Sequence, residues 1–163
     1  MCIGKFCKRN VVCATCDATI VEAAHLMRSN HVGDVIIVDE ADKERRPIGI
    51  VTDRDIVVEV ISAGLDPNLV KLGDLLLRPL VTVDEHTGYA ETIRVMTAKG
   101  VRRMPVVNEA GMLVGIVTLD DVLHQLAIPL AELSELAIRE RSHEVKHGND
   151  LRTFRSAVGH DIA

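Results

Sequence analysis

Gly49-Ile50-Val51-Thr52-Asp53-Arg54-Asp55 and Gly115-Ile116-Val117-Thr118-Leu119-Asp120-Asp121 are two copies of one phrase. Each ends an apolar run of strand length on a threonine and places an aspartate three positions further on. Thr is a good helix N-cap, and acidic residues in the first turn suit the helix dipole. The phrase therefore reads as a strand that passes directly into a helix. Working outward, the copies stay in step. Val12 falls on Val81, Glu22 on Glu91, Met27 on Met96, Val32 on Val101 and Val38 on Val107. The second alignment is three residues shorter, and the charged stretch from Asp39 to Pro47 in the first copy absorbs the difference. Length changes of this kind belong in surface loops.

Within each copy the elements follow the same order. Val11-Val12 and Leu80 to Val83 are short strands. Residues 19–29 and 88–99 carry apolar side chains at helical period: Ile20, Ala23, Ala24 and Met27 in one, Tyr89, Thr92, Ile93 and Met96 in the other. Val35 to Val38 pairs with Ile48 to Val51 as a hairpin, and Met104 to Val107 with Leu113 to Val117. Helices Asp53 to Ser62 and Leu119 to Ala127 close the two units, with Gly64 stopping the first. Leu65-Asp66-Pro67-Asn68 is a turn, and Val70 to Leu77 reads as a short linking helix. The fold class is α/β, two β-α-β-β-α repeats about a pseudo-twofold axis. One copy of this length is too small to bury a core alone, so the two form one module. The boundaries expected are 3–63 for the first repeat, 64–78 for the linker and 79–128 for the second. A C-terminal helix over 129–147 and a tail over 148–163, disordered without a partner, complete the chain. Pro129 opens that helix, and Leu130, Leu133, Leu136, Ala137 and Ile138 form its apolar stripe.

The repeated G-I-V-T-x-x-D, the run Val101-Arg102-Arg103-Met104-Pro105-Val106-Val107, and Thr52-Asp53-Arg54-Asp55-Ile56 followed by Ala63-Gly64-Leu65-Asp66-Pro67-Asn68 resemble a tandem pair of CBS domains of the small stand-alone bacterial type. The resemblance covers roughly residues 3–128. It implies an adenosine ligand between the repeats, AMP, ADP or ATP, or S-adenosylmethionine. It also implies dimerisation. By the same resemblance Val12, Val32 and Gly33 would supply an adenine slot to the pocket containing Asp121.

The residue chemistry points the same way. A carboxylate in the first turn after a strand can accept the hydroxyls of a ribose, and Asp55 and Asp121 stand there. Thr52 and Thr118 can donate to a phosphate or ribose oxygen, and the free N–H groups of the helix start favour an anion. Arg102 and Arg103, paired guanidinium forks, suit a phosphate clamp. They argue against S-adenosylmethionine, which is cationic and has no phosphate. The main pocket expected therefore comprises Val12, Val32, Gly33, Arg102, Arg103, Thr118, Asp120 and Asp121. A second pocket, around Thr52, Arg54, Asp55 and Val81, is expected to be weaker. Arg102 and Arg103 align with Gly33 and Asp34, so the first copy lacks its own pair of arginines. Arg54 compensates in part.

Other features narrow the function. The net charge is −5, with acidic and basic residues mixed, which disfavours nucleic acid. No apolar run approaches the ~20 residues of a membrane span, and residues 1–10 lack the apolar segment of a signal peptide. A cytoplasmic protein is expected, with a homodimer, a client protein and no required cofactor. Cys2, Cys7, Cys13 and Cys16 read as free thiols in a reducing compartment. A thiolate metal or redox site is the rival reading, and Cys13 and Cys16 have the C-x-x-C spacing for it. His143-Glu144-Val145-Lys146-His147 spells H-E-x-x-H, with His160 as a conceivable third ligand. It lies outside the repeats, with no further domain to form a substrate cleft, and reads as the solvated end of a helix. The chain is expected to be a non-catalytic regulatory module binding an adenine nucleotide. A ligand-free dimerisation module is the remaining alternative.

Overall fold

The computed structural model describes residues 2–39, 45–76 and 78–158, with side chains as far as residue 141. His143, Glu144, His147 and His160 lie outside the described side chains.

Two three-stranded sheets carry the same topology. Strand β1 (Cys13–Ala14) runs parallel to β2 (Asp34–Val38), which turns back antiparallel to β3 (Pro47–Thr52). Strands β4 (Val83–Asp84), β5 (Arg103–Val107) and β6 (Leu113–Thr118) repeat the pattern. The parallel step in each sheet needs a crossover, supplied by helices α1 (Ile20–Asn30) and α3 (Tyr89–Lys99). Strands β2 and β5 bury three consecutive residues each, Val35-Ile36-Ile37 and Met104-Pro105-Val106. They are central strands covered on both faces, as their unbroken apolar runs require.

Helix α1 starts on a complete capping box. Thr19 Oγ1 accepts from the Glu22 N–H at 3.2 Å, and the Glu22 carboxylate accepts from the Thr19 N–H at 2.7 Å. Helix α3 starts on Gly88, which has no side chain to cap it. Both helices end on a left-handed residue, His31 at φ 54° and Gly100 at φ 64°. Ile20, Ala23 and Met27 face the first core beside Val35, Ile37, Val51, Ile56, Val60 and Leu72. Helix α2 begins as expected at Asp53 but keeps α winding only through Asp55, then widens into a π-helical stretch over Ile56–Ile61.

The lead-in segments are exchanged between the repeats. The 3-10 turn Leu72–Leu75 before the second repeat bonds to the first, with Leu72 N–H on the Ala18 carbonyl (2.9 Å) and Gly73 N–H on that of Cys16 (3.0 Å). The 3-10 turn Ile3–Lys5 before the first repeat bonds to the second, with Ile3 N–H on Thr87 (2.8 Å) and Gly4 N–H on Glu85 (2.9 Å). Lys8 then exchanges both backbone bonds with Ile116 at 2.9 Å. Ile3 and Leu72, both fully buried, plug equivalent places. Each repeat is thus completed by chain leading into the other, which is why neither closes a core alone.

The described linker is only this short turn, against the longer helix expected over Val70 to Leu77, whose last residue lies outside the described set. Helix α4 runs without interruption from Leu119 to Val158. Sequence reading places a new helix start at Pro129, but the proline lies inside α4. It supplies no N–H to the carbonyl of Gln125, and the helix continues past it. The stretch over 148–158, expected as tail, is helical, and residues 159–163 lie outside the described set. From Val122 onward this helix is a compact unit of its own. Leu123, Leu126, Leu130 and Leu133 are exposed along it.

Candidate functional site

Both G-I-V-T phrases end as expected, on a threonine that caps a helix. Thr52 Oγ1 donates to Asp55 Oδ2 (2.7 Å) and accepts from the Asp55 N–H (3.2 Å), while the Thr52 N–H donates to the same Oδ2 (2.9 Å). The second copy repeats this, with Thr118 Oγ1 to Asp121 Oδ2 at 2.6 Å and Thr118 N–H to Oδ2 at 3.0 Å. The expected donation from these threonines to a ligand requires these bonds to break. Each hydroxyl proton is already given to the aspartate, and one carboxylate oxygen per aspartate is consumed. What each site can offer a diol is the other oxygen, Oδ1.

The two aspartates differ there. Lys8 Nζ lies 2.8 Å from Asp121 Oδ1. Burial pushes the Asp121 carboxyl up, but the bonds from Lys8 and Thr118 outweigh it and hold it below the usual carboxylate range. Among the described residues Asp55 Oδ1 has no such partner. Lys8 was not anticipated as a site residue.

Two cavities lie between the repeats, and each is built from both. The larger, about 470 Å³, joins Thr52, Arg54 and Asp55 of the first repeat to Val81 and the loop Gly100-Val101-Arg102-Arg103 of the second. The smaller, about 270 Å³, joins Thr118 and Asp120 to Val12 and the loop His31-Val32-Gly33-Asp34. Asp121, expected in this pocket, is not among its lining residues; it is bonded to Lys8 and Thr118, which are. Val12, Val32 and Gly33 stand in one cavity with Thr118 and Asp120, and Val81 in the other with Thr52, Arg54 and Asp55.

The arginines need a correction. They were expected to serve the Asp121 pocket and to be missing from the other. Because each cleft joins the helix start of one repeat to the α–β loop of the other, the arginine loop faces Thr52 and Asp55 directly. Arg102 and Arg103 line both cavities. The larger cavity also gains Arg54, Arg78 and Lys99, none but Arg54 anticipated, against Asp53, Asp55 and Glu59. In the smaller, Lys8, His31 and the two arginines stand against Asp34 and Asp120. Asp34, which aligns with Arg103, does not sit opposite a ligand phosphate by itself: it forms an ion pair with Arg103, both side chains partly buried.

The cysteines are free. Cys7 packs against Gly115, and burial raises its thiol pKa above the ordinary value. Burial also raises that of Cys13, whose Sγ points to the Val11 carbonyl. Among the described residues no three His, Cys, Asp or Glu side chains assemble as a metal ligand set. No helix of the described residues is long and apolar enough to cross a membrane.

Paired α/β repeats with a polar cleft on each side of their common axis define a class of ligand-binding module. The chain belongs to the CBS domain family, whose model matches residues 3–62 and 72–128. It is 38% identical to hypoxic response protein 1 of Mycobacterium tuberculosis over 71% of this chain and 78% of that one. It is also 38% identical to an uncharacterized protein of Methanopyrus kandleri, over 82% of this chain and 66% of that protein. Among solved structures, hypoxic response protein I with two coordinated zinc ions superposes with a TM-score of 0.67 at 35% identity, covering 76% of this chain and 98% of that one. A CBS domain protein of Pyrobaculum aerophilum complexed with AMP gives a TM-score of 0.68 at 25% identity, covering 78% and 99%.

Proposed function

We propose that this chain is a non-catalytic regulatory module that binds an adenine nucleotide in the clefts between its repeats. The observation that carries the reading is the larger cleft, about 470 Å³, which Asp55, Arg102 and Arg103 line together. A carboxylate for a ribose hydroxyl and guanidinium forks for a phosphate line the same cavity, with the apolar Val81 and Val101. AMP bound to the Pyrobaculum relative is in keeping with this. We assign the stronger phosphate site to this Asp55 cleft, and a weaker one to the cleft of Thr118, Asp120, Asp121, Val12, Val32 and Gly33. The five cationic side chains of the larger cleft, Arg54, Arg78, Lys99, Arg102 and Arg103, suit AMP, ADP or ATP better than the cationic S-adenosylmethionine. No cofactor is required by this reading. A regulatory module acts on a client or a second copy, and Val57, Val58 and Ile61, exposed on one helical stretch, favour self-association.

The test is calorimetric titration with AMP, ADP, ATP, adenosine and S-adenosylmethionine, supported by thermal shifts, since a ligand that binds only the folded state raises the melting temperature. A charge-assisted hydrogen bond contributes roughly 1.5–3 kcal/mol. Asp55→Ala should therefore weaken the tightest AMP site by about tenfold or more. If none of the nucleotides binds, the reading is wrong. If Asp121→Ala abolishes the tight site and Asp55→Ala spares it, the clefts are ranked in the wrong order.

A further inference from the structure

Resting on the nucleotide reading, we propose that the two clefts oppose each other for phosphate-bearing ligands through the single ion pair Arg103–Asp34. The two residues occupy equivalent positions. Asp34 pairs with Thr52 across β2 and β3, and Arg103 pairs with Thr118 across β5 and β6. Their side chains meet between the repeats, with relative exposures of 15% and 31%. Equivalent residues that touch must lie beside the pseudo-twofold axis, midway between the two capped helix starts. Arg103 lines both cavities, whereas Asp34 lines the smaller.

One guanidinium thus serves three acceptors: a phosphate in the larger cleft, a phosphate in the smaller cleft, and Asp34. A phosphate in the larger cleft draws Arg103 away from Asp34. The Asp34 carboxylate, largely shielded from water, then stands on the wall of the smaller cleft without its counter-charge. Like charges at short range in such a site repel strongly, so a second phosphate is disfavoured twice, by the loss of a donor and by the bared carboxylate. Linkage makes the effect reciprocal: a phosphate in the smaller cleft weakens the larger by the same factor. A neutral adenosine does not compete for Arg103, and it binds the two clefts independently.

The experiment uses the full chain, with AMP and adenosine as titrants. Asp55→Ala weakens the larger cleft, so that the smaller fills ahead of it and is read without a phosphate next door. AMP should bind that cleft in Asp55→Ala about tenfold tighter than it does as the weaker of two steps in the wild type, the size of one charge-assisted bond. A weaker step too faint to register in the wild type but measurable in Asp55→Ala is the same result. Adenosine should show no such gain. Asp34→Asn, close in shape, should tighten the weaker AMP step of the otherwise intact protein and leave adenosine unchanged, a test that does not need Asp55→Ala to fold. Equal AMP affinity of the smaller cleft in both proteins, or an equal gain with adenosine, overturns the coupling and leaves nucleotide binding standing. Absence of any AMP binding overturns both.

Discussion

The two repeats share topology, register, a Thr–Asp helix start and equivalent lead-in turns, yet they differ in the charges that line their clefts. In the first repeat the left-handed residue after the crossover helix is His31 and the loop runs on to Gly33-Asp34. In the second it is Gly100 and the loop runs on to Arg102-Arg103. The fold needs a left-handed turn at that point in both copies. It does not dictate the charge of the two residues that follow. Backbone demands have therefore been kept while the cleft walls have diverged, and the divergence puts opposite charges on the pseudo-twofold axis. The lesson is that a repeat of this kind should be compared cleft by cleft, not repeat by repeat, because each cleft takes half its wall from each copy.

The sharpest way to strain the comparison is at the glycine that opens each G-I-V-T phrase. A Cβ on Gly115 would lie 2.7 Å from both the Lys8 carbonyl oxygen and Cys7 Sγ. The carbonyl belongs to the backbone segment bonded to Ile116, so it cannot move without breaking those bonds. A Cβ on Gly49 would lie 2.0 Å from Leu76 Cδ2, the end of a half-buried side chain that can change rotamer. Overpacking costs about 1–3 kcal/mol. Gly115→Ala should fall at the upper end of that range and Gly49→Ala at the lower, despite the shorter distance at Gly49. Urea unfolding of both variants checks the order. Equal losses would mean that the exchanged N-terminal segment yields as easily as a side chain.

A smaller difference lies at the crossover helices. Thr19 and Glu22 make a full capping box, whereas Gly88 has the extended φ of −67° and ψ of 148° of an N-cap but no hydroxyl. Glu91 stands at the position of Glu22, bound to Arg94 at 2.7 Å. Thr19→Ala should cost about 1 kcal/mol. Gly88→Thr should add about 0.5 kcal/mol, since Thr and Gly differ little as caps but Gly leaves a freer unfolded chain. A Cβ on Gly88 meets nothing within 4 Å. Denaturant midpoints decide it, and a loss in Gly88→Thr would show that the isolated antiparallel bridge that Gly88 makes with Cys2 needs the bare backbone.

Much of this architecture is legible in the sequence, because it depends on local period and on caps. The unbroken runs Val35 to Val38 and Met104 to Val107, the two capping threonines and the alignment of copies all survive as read. What a linear reading misses is exchange. Nothing local to Ile3-Gly4-Lys5 says that it packs on Glu85 and Thr87. The pairing of Arg102 and Arg103 with the remote Thr52 likewise follows from how the halves face each other and not from which half holds them. The widening of the helix after Asp55 and the passage of α4 through Pro129 are missed for another reason. Both run against propensity, and propensity was the only guide to them.

The smallest effect tests the one ammonium that distinguishes the two aspartates. Lys8 is 63% exposed and Asp121 16% exposed. Water and salt screen such a pair, so it contributes only about 0.2–1 kcal/mol. Its signature is therefore better sought in pH than in overall stability. The folded Asp121 carboxyl is held below its ordinary value, against the upward push of burial, by the bonds from Lys8 and Thr118. A depressed carboxyl contributes stability that is present above its unfolded pKa, about 4, and is lost as pH falls through its folded value. Lys8→Ala removes one of those bonds and should raise the Asp121 titration midpoint. The stability gap between wild type and variant should be constant near neutral pH, close as pH drops below about 4, and narrow in high salt. NMR titration of the Asp121 carboxyl carbon and denaturant unfolding at a series of pH values measure the two halves of the claim. An unmoved Asp121 midpoint would show that Thr118 alone sets this carboxylate, and that Lys8 sits beside it without holding it.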